Sequence, residues 1–203
     1  MIVKSGTHPV TTLRDILARQ KGILFTSDLA KWGIPRTYLS ILEKAGEVQR
    51  ISRGIYSAAN ALPDEMASLQ ARHKAAIFSH ETALYLWNLT DRSPLFFSVT
   101  VPSGYNATAL KAGGAKVYFI NRALHSLGQT SAQSPQVHDI QTYNLERTLC
   151  DVLRSRNQID IQFVTTALKR YVQRPDKNLD RLFDYAKQFR IQKLVRQYIE
   201  VLL

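Results

Sequence analysis

The chain has 203 residues, with 27 lysines and arginines against 16 aspartates and glutamates, a formal net charge of +11 and a single cysteine. That balance draws polyanions at long range, and one thiol excludes both an intrachain disulfide and a zinc site built on several thiolates. No run approaches the roughly 18 apolar residues of a spanning helix and no apolar signal core opens the chain, so a soluble, cytoplasmic protein without a membrane partner is expected.

In chain order, Thr11 or Thr12 can cap a first helix whose apolar positions Leu13, Ile16 and Leu17 follow helical spacing, with Gly22 ending it. Ile23 to Phe25 reads as a short strand. Thr26 or Ser27 then caps a second helix through Leu29, Ala30 and Trp32, which Gly33 stops. Pro35 suits the first position of a third helix reaching Ala45, with Gly46 just past its end. A hairpin follows from Glu47 to Ala58: Val48 and Ile51 rise, Ser52-Arg53-Gly54 turns, and Ile55 and Tyr56 return. Three short helices and a basic hairpin predict a winged helix-turn-helix over residues 1–60.

Residues 61–203 predict a second domain. A turn at Leu62-Pro63 leads into a bridging helix to about Arg72, and Ser79 caps a helix carrying Ala83, Leu84 and Trp87. The segments LFFSVTV and VYFIN read as strands separated by a loop or short helix, and VHDIQTYNL adds another strand before Asn144 caps a helix with Leu145, Leu149, Val152 and Leu153 on one side. From Asp160 onward the spacing is helical throughout. The expected class is therefore α+β: an N-terminal winged helix-turn-helix, then a mixed α/β domain, a small mixed sheet with a helical C-terminal end.

Charge is not confined to the first domain. Residues 1–60 hold nine Lys or Arg against four Asp or Glu, residues 61–140 six against five, and residues 141–203 twelve against seven. Hence the terminal helices are also candidates for contact with nucleic acid or an acidic partner.

On an ideal third helix, Tyr38, Leu39, Leu42 and Ala45 cluster on one side, while Arg36, Thr37, Ser40 and Lys44 share an arc of about 100° on the other. That division suits a recognition helix docked by its apolar face with its polar face in the major groove. Arg36 can bond guanine O6 and N7 bidentately, Thr37 and Ser40 can donate to phosphate or base edges, and Lys44 reaches phosphate. A merely solvated helix would show the same division; the basic hairpin directly after it favours recognition. In the hairpin, Arg50 and Arg53 flank the turn and can enter a minor groove or bind nearby phosphates, or simply blunt an exposed strand edge. Trp32 and Tyr56 read as core. Arg147, Arg154, Arg156, Lys169, Arg170, Arg174 and Lys177 supply a further basic population, with Arg147, Arg154, Lys169, Arg170 and Arg174 as a second basic surface.

Catalytic patterns are absent. His80-Glu81 begins like HExxH, but Leu84 stands where the second imidazole is needed for zinc. A metal-dependent nuclease needs carboxylates on its strands, yet none lies between Arg92 and His138. Cys150 sits in an apolar helical stripe and reads as core. No enzyme activity, metal or cofactor is implied.

Together the N-terminal helices, the hairpin RISRGIY (Arg50 to Tyr56), SHETALYLWNL (Ser79 to Leu89), the strand ending in Val101-Pro102 and TYNLERTLCDVL (Thr142 to Leu153) resemble the AbiEi-type antitoxins. These are the regulator half of type IV toxin-antitoxin systems linked to phage defence and abortive infection. The resemblance implies a winged helix that binds inverted repeats in double-stranded operator DNA and represses its own promoter. It also implies a C-terminal domain that counters a cognate nucleotidyltransferase toxin, without requiring a tight complex. In the RTLCD block, Arg147 and Asp151 are spaced to pair on one helix face, a structural role. An interaction protein that binds a toxin directly, with DNA binding secondary, is the alternative.

Overall fold

The computed structural model describes residues 8–20, 22–61 and 64–202. It is an α+β protein whose contacts divide it into two units: the residues up to Arg72 together with Gln133–His138, and His73–Ala132 together with the chain from Asp139.

The first unit runs α1 (Pro9–Arg19), β1 (Ile23–Phe25), α2 (Thr26–Leu29) continuing into a 3-10 turn at Ala30–Trp32, α3 (Thr37–Lys44), β2 (Val48–Ser52), β3 (Ile55–Ala58) and α4 (Glu65–Arg72). Strand β3 lies between β1 and β2 in an antiparallel sheet, pairing Leu24 with Tyr56 and Arg50 with Tyr56 on opposite sides. Leu13, Ile16 and Leu17 of α1 pack with Leu24, Leu29, Ile34, Leu39, Leu42 and Val48 in one core.

Helix starts differ from the expected ones. Pro9 occupies the first turn of α1 with His8 at the N-cap, which is where the missing proline N–H costs nothing. Thr11 and Thr12 therefore lie inside that helix. Thr26 and Ser27 also lie within their helix rather than capping it. Pro35 precedes α3, whose N-cap is Arg36. Ala45 is exposed rather than buried, since the helix has ended and Gly46 adopts a left-handed φ of 71°. The expected turn at Leu62-Pro63 lies outside the described residues. Just after it, the buried Asp64 carboxylate accepts the Ala67 backbone N–H at 2.9 Å and also meets Ser134 Oγ and His138 Nδ1, so the 133–138 segment belongs with this unit.

The second unit has a five-stranded sheet in the order β6-β5-β4-β8-β7: β4 (Ile77–Phe78), β5 (Ser98–Pro102), β6 (Lys116–Ile120), β7 (Gln129–Gln133) and β8 (Asp139–Tyr143). Strands β5 and β6 run parallel across α6 (Thr108–Ala112), β5 is antiparallel to β4, and β4 is parallel to β8. The helices α5 (His80–Leu86), α7 (Arg122–His125), α8 (Leu145–Arg154), α9 (Ile161–Gln173), α10 (Leu179–Gln188) and α11 (Gln192–Glu200) complete the unit. Leu149, Val152 and Leu153 of α8 share a core with Val164, Leu168, Leu182, Ala186, Val195 and Ile199.

Two strands lack a strand pattern of their own in the sequence. Strand β4 is two residues long, and β7 is polar along its length, QTSAQ, with an exposed-intermediate alternation. Helix α8 departs further from expectation. Its apolar spacing predicts one covered side, yet every residue from Leu145 to Leu153 is buried.

Candidate nucleic-acid interface

Helix α3 is presented by a short chain reversal. Gly33, at φ 64°, ends the preceding turn, Ile34 drops into the core, and Arg36 begins the helix. Leu39 and Leu42 are buried, which forces Arg36, Thr37, Ser40 and Lys44 outward; all four are exposed. Ile41 shares that outer face at 50% exposure. Thr37, Ile41 and Lys44 stand at the i, i+4, i+7 spacing of one stripe.

The hairpin is set against the start of α2. Thr26 donates its backbone N–H to the Gly54 carbonyl at 2.9 Å, Gly54 has φ 81°, and a Cβ there would lie 2.8 Å from Thr26 Oγ1. Only glycine meets both conditions. A register shift between Arg50 and Ser52 bends the outer strand. Arg36 and Ser40 of α3 and Arg50 and Arg53 of the hairpin consequently line one hollow of about 560 Å³, with Leu39, Tyr56, Thr26 and Gly54 completing its wall.

Thr37 and Lys44 lie on the same helix but outside this hollow. Thr26, Tyr56 and Ile41 join the residues expected from the sequence. Thr26 and Tyr56 enter through tertiary contact, whereas Ile41 is signalled by its i+4 spacing from Thr37.

Opposite charges near the hollow are matched elsewhere, while part of its positive charge is not. Arg14 and Glu47 pair at 2.6 Å, and Lys31 and Asp28 at 2.7 Å, but Arg36, Lys44 and Arg53 make no ion pair among the described residues. The Arg14 hydrogen bond holds the Glu47 carboxyl below its ordinary range, so the acid next to the hairpin is already matched. A field of fixed positive sign with exposed hydroxyls suits phosphate and base edges.

The second basic group fares differently. Arg147 is fully buried, which removes it from any surface. Its Nε donates to Asp151 at 2.9 Å, one terminal nitrogen donates to the Leu124 and Leu127 carbonyls, and its guanidinium lies 4.0 Å from the Tyr143 ring centre and 4.5 Å from that of Phe189. The i,i+4 pair with Asp151 expected from the sequence is thus present inside the core. Arg154 also pairs with Asp151, Arg170 with Asp91 and Arg174 with Asp176. Arg170 and Arg174 further donate to the Asn88 and Trp87 carbonyls at the end of α5. Lys169 is exposed. Arg147, Arg154, Arg170 and Arg174 are each tied to a carboxylate within the fold.

The chemistry-bearing residues of the second unit are likewise occupied. His80 is buried, stacked on Tyr118 at 3.4 Å, and bonded through its two nitrogens to Ser79 Oγ and Ser155 Oγ. Ser79 stands at the N-cap of α5 without capping it; its hydroxyl meets His80 and accepts from Thr100. Glu81 pairs with Lys116 at 2.8 Å. Burial pushes the Cys150 thiol well up from its ordinary value. No group of three His, Cys, Asp or Glu side chains able to hold a metal, and no helix long and apolar enough to cross a membrane, occurs among the described residues.

Comparison with known proteins finds a family similarity within the first unit. Residues 12–59 match the family described as transcriptional regulator, AbiEi antitoxin, which bears out the resemblance over the segment that builds the hollow. The fold is similar to that of the RV2827C protein from Mycobacterium tuberculosis, with a TM-score of 0.56, 14% sequence identity, and 92% of this chain and 75% of that one covered. No curated protein matches the sequence.

Proposed function

We propose that this protein is a DNA-binding transcriptional repressor and antitoxin of a type IV toxin-antitoxin operon, binding inverted repeats in its own promoter and countering a nucleotidyltransferase toxin. The observation that carries the DNA reading is the convergence of Arg36 and Ser40 with Arg50 and Arg53 on one hollow. The order α1-β1-α2-α3-β2-β3 with β3 central supports reading the first unit as a winged helix-turn-helix. In that reading α3 enters the major groove, Arg36 reads guanine, Thr37 and Ser40 bond base edges or phosphate, and Lys44 neutralises phosphate. Ile41, exposed between them, offers an apolar contact for a thymine methyl. Arg50 and Arg53 serve the wing, on a minor groove or its phosphates. The toxin-countering role rests on the AbiEi resemblance and is assigned to the second unit.

Titration of promoter DNA in rising salt tests the DNA reading. Each phosphate contact contributes about −0.9 to the slope of log K against log salt, so a steep negative slope is expected and a flat one discards the proposal. Arg53→Ala is expected to weaken operator binding by about 1 to 3 kcal/mol with an unchanged unfolding midpoint. Unaltered affinity removes Arg53 from the interface.

A further inference from the structure

The sheet of the second unit ends in two edge strands of opposite character. Strand β7 closes one edge with a polar row, in which Gln141 of β8 bridges Gln129 and Ser131. Strand β6, from Lys116 to Ile120, forms the other. Among the described residues it pairs only with β5, in parallel, with Val99 beside Val117 and Val101 beside Phe119. Lys116 donates its N–H to the Phe97 carbonyl at 2.9 Å, and the Ile120 carbonyl accepts from the Ser103 N–H at 2.7 Å. Lys116, Tyr118 and Ile120 thus turn their main-chain groups toward β5. Alternate residues of a strand face opposite edges, which directs the N–H and C=O of Val117 and Phe119 away from the sheet.

An edge strand is ordinarily protected by a proline, a bulge or an outward lysine. Strand β6 contains no proline, and its register with β5 is unbroken along its length. Its lysine is turned inward: the Lys116 ammonium donates to the Glu81 carboxylate at 2.8 Å and to the Gln158 carbonyl at 3.2 Å. Lys111 reaches the Phe119 ring from the crossover helix α6, 5.6 Å from its centre. Apolar surface adjoins the open main chain. Phe119 is 46% exposed, and Leu95 and Phe96, which lead into β5 beside the Lys116 end, are 92% and 62% exposed. Exposed apolar side chains next to outward main-chain groups are the features that strand addition uses.

The strand is complementary to itself. When a second β6 is set antiparallel about a two-fold axis through Tyr118, Val117 lies opposite Phe119 of the second copy, and Phe119 opposite its Val117. Those are the residues whose main-chain groups face outward, so both pairs exchange N–H and C=O, and Tyr118 takes the place that needs no hydrogen bond. A register shifted by one residue would set Val117 against a residue whose groups are already turned to β5. The side chains agree with the centred register: each Val117 meets a phenylalanine, an aromatic and β-branched pair of the kind that stabilises sheets, and Lys116 meets Ile120 rather than another cation. We propose that β6 is a self-association edge, through which a second copy of this chain continues the sheet by antiparallel β6–β6 pairing. So short an edge is small beside a standard interface, and the dimer is expected to form with rising concentration. The inference does not rest on the DNA reading.

The test is sedimentation of the full-length protein over a concentration series, with amide hydrogen exchange followed on the same samples. The mass is expected to move from 23.1 kDa toward twice that value, and more readily in added salt, because two chains of net charge +11 repel. Exchange is expected to slow at Val117 and Phe119 as the dimer forms, while Tyr118, already turned to β5, keeps its rate. Phe119→Lys sets a cation on each side of the axis and is expected to weaken association at least about tenfold with an unaltered unfolding midpoint. Val117→Pro removes the outward N–H and is expected to act in the same direction. A mass of 23.1 kDa at every concentration and salt overturns the inference. So does a dimer whose Val117 and Phe119 amides still exchange freely, which places association on another surface. Protection of those amides in the monomer at every dilution assigns the edge to a segment of the same chain, and overturns it as well. The exchange measurement on the wild-type protein decides the matter even where a variant unfolds.

Discussion

Arg147 is buried in α8 with Asp151 as its ion partner, so its deletion leaves a carboxylate in the core with only Arg154, at 3.3 Å, to meet it. Burial pushes the Asp151 carboxyl up against the opposing pull of Arg147. Breaking a buried pair from one side costs about 3 to 5 kcal/mol, and Arg147→Ala is expected to lose that much stability in urea unfolding. A loss under about 1 kcal/mol would match a surface pair instead. Gly128 is coupled to this site: its φ is 73° and a Cβ on it would lie 2.7 Å from the Arg147 Cβ. The i,i+4 spacing of Arg147 and Asp151 was legible in the sequence, but their burial was not. A charged pair at that spacing reads the same whether one face of its helix is covered or all of them.

At the scale of elements, α3 and the hairpin were readable because each states its own geometry. Buried Leu39 and Leu42 against exposed Thr37, Ser40 and Lys44 follow the 3.6-residue period, and Gly54 marks the reversal between β2 and β3. The same periodicity isolates Ile41 as an apolar residue on the polar face. Ile41→Ala is therefore expected to narrow the affinity gap between promoter and scrambled DNA, by about 1 kcal/mol as for one lost base contact, while leaving the salt slope unchanged. Equal loss on both duplexes would place Ile41 outside direct base reading. Strand β7 shows the opposite case. Its residues, Gln129 to Gln133, carry no apolar alternation, so pairing beside β8 makes the strand and its own pattern does not.

For the whole molecule, pH acts through a group that no pattern marked as buried. His80 is enclosed between Ser79, Ser155 and Tyr118, and burial, reinforced by the charges of Lys116, Arg154 and Arg147, holds its pKa well below the ordinary 6.5. The unfolded chain then binds a proton that the folded one refuses. Stability is accordingly complete above about pH 6.5 and falls as the pH is lowered from there toward the depressed folded value. Urea midpoints between pH 7 and 5 should drop for the wild-type protein and drop less for His80→Gln. Parallel profiles would assign the acid sensitivity to other groups.

The sequence by itself determined the sign and abundance of charge, the helix and hairpin periods of the first unit, and the residues that face outward there, because these depend on spacing along one chain. Tertiary structure alone decided that Arg36, Ser40, Arg50 and Arg53 share a hollow. It also decided which cations remain unspent: Arg147, Arg154, Arg170 and Arg174 are matched by carboxylates, while Lys187, Arg190 and Lys193 are left facing water. Charge is a property of the residue, but its availability depends on which opposite charges and carbonyls folding brings within about 3 to 4 Å, and that distance is not written in the order of the residues.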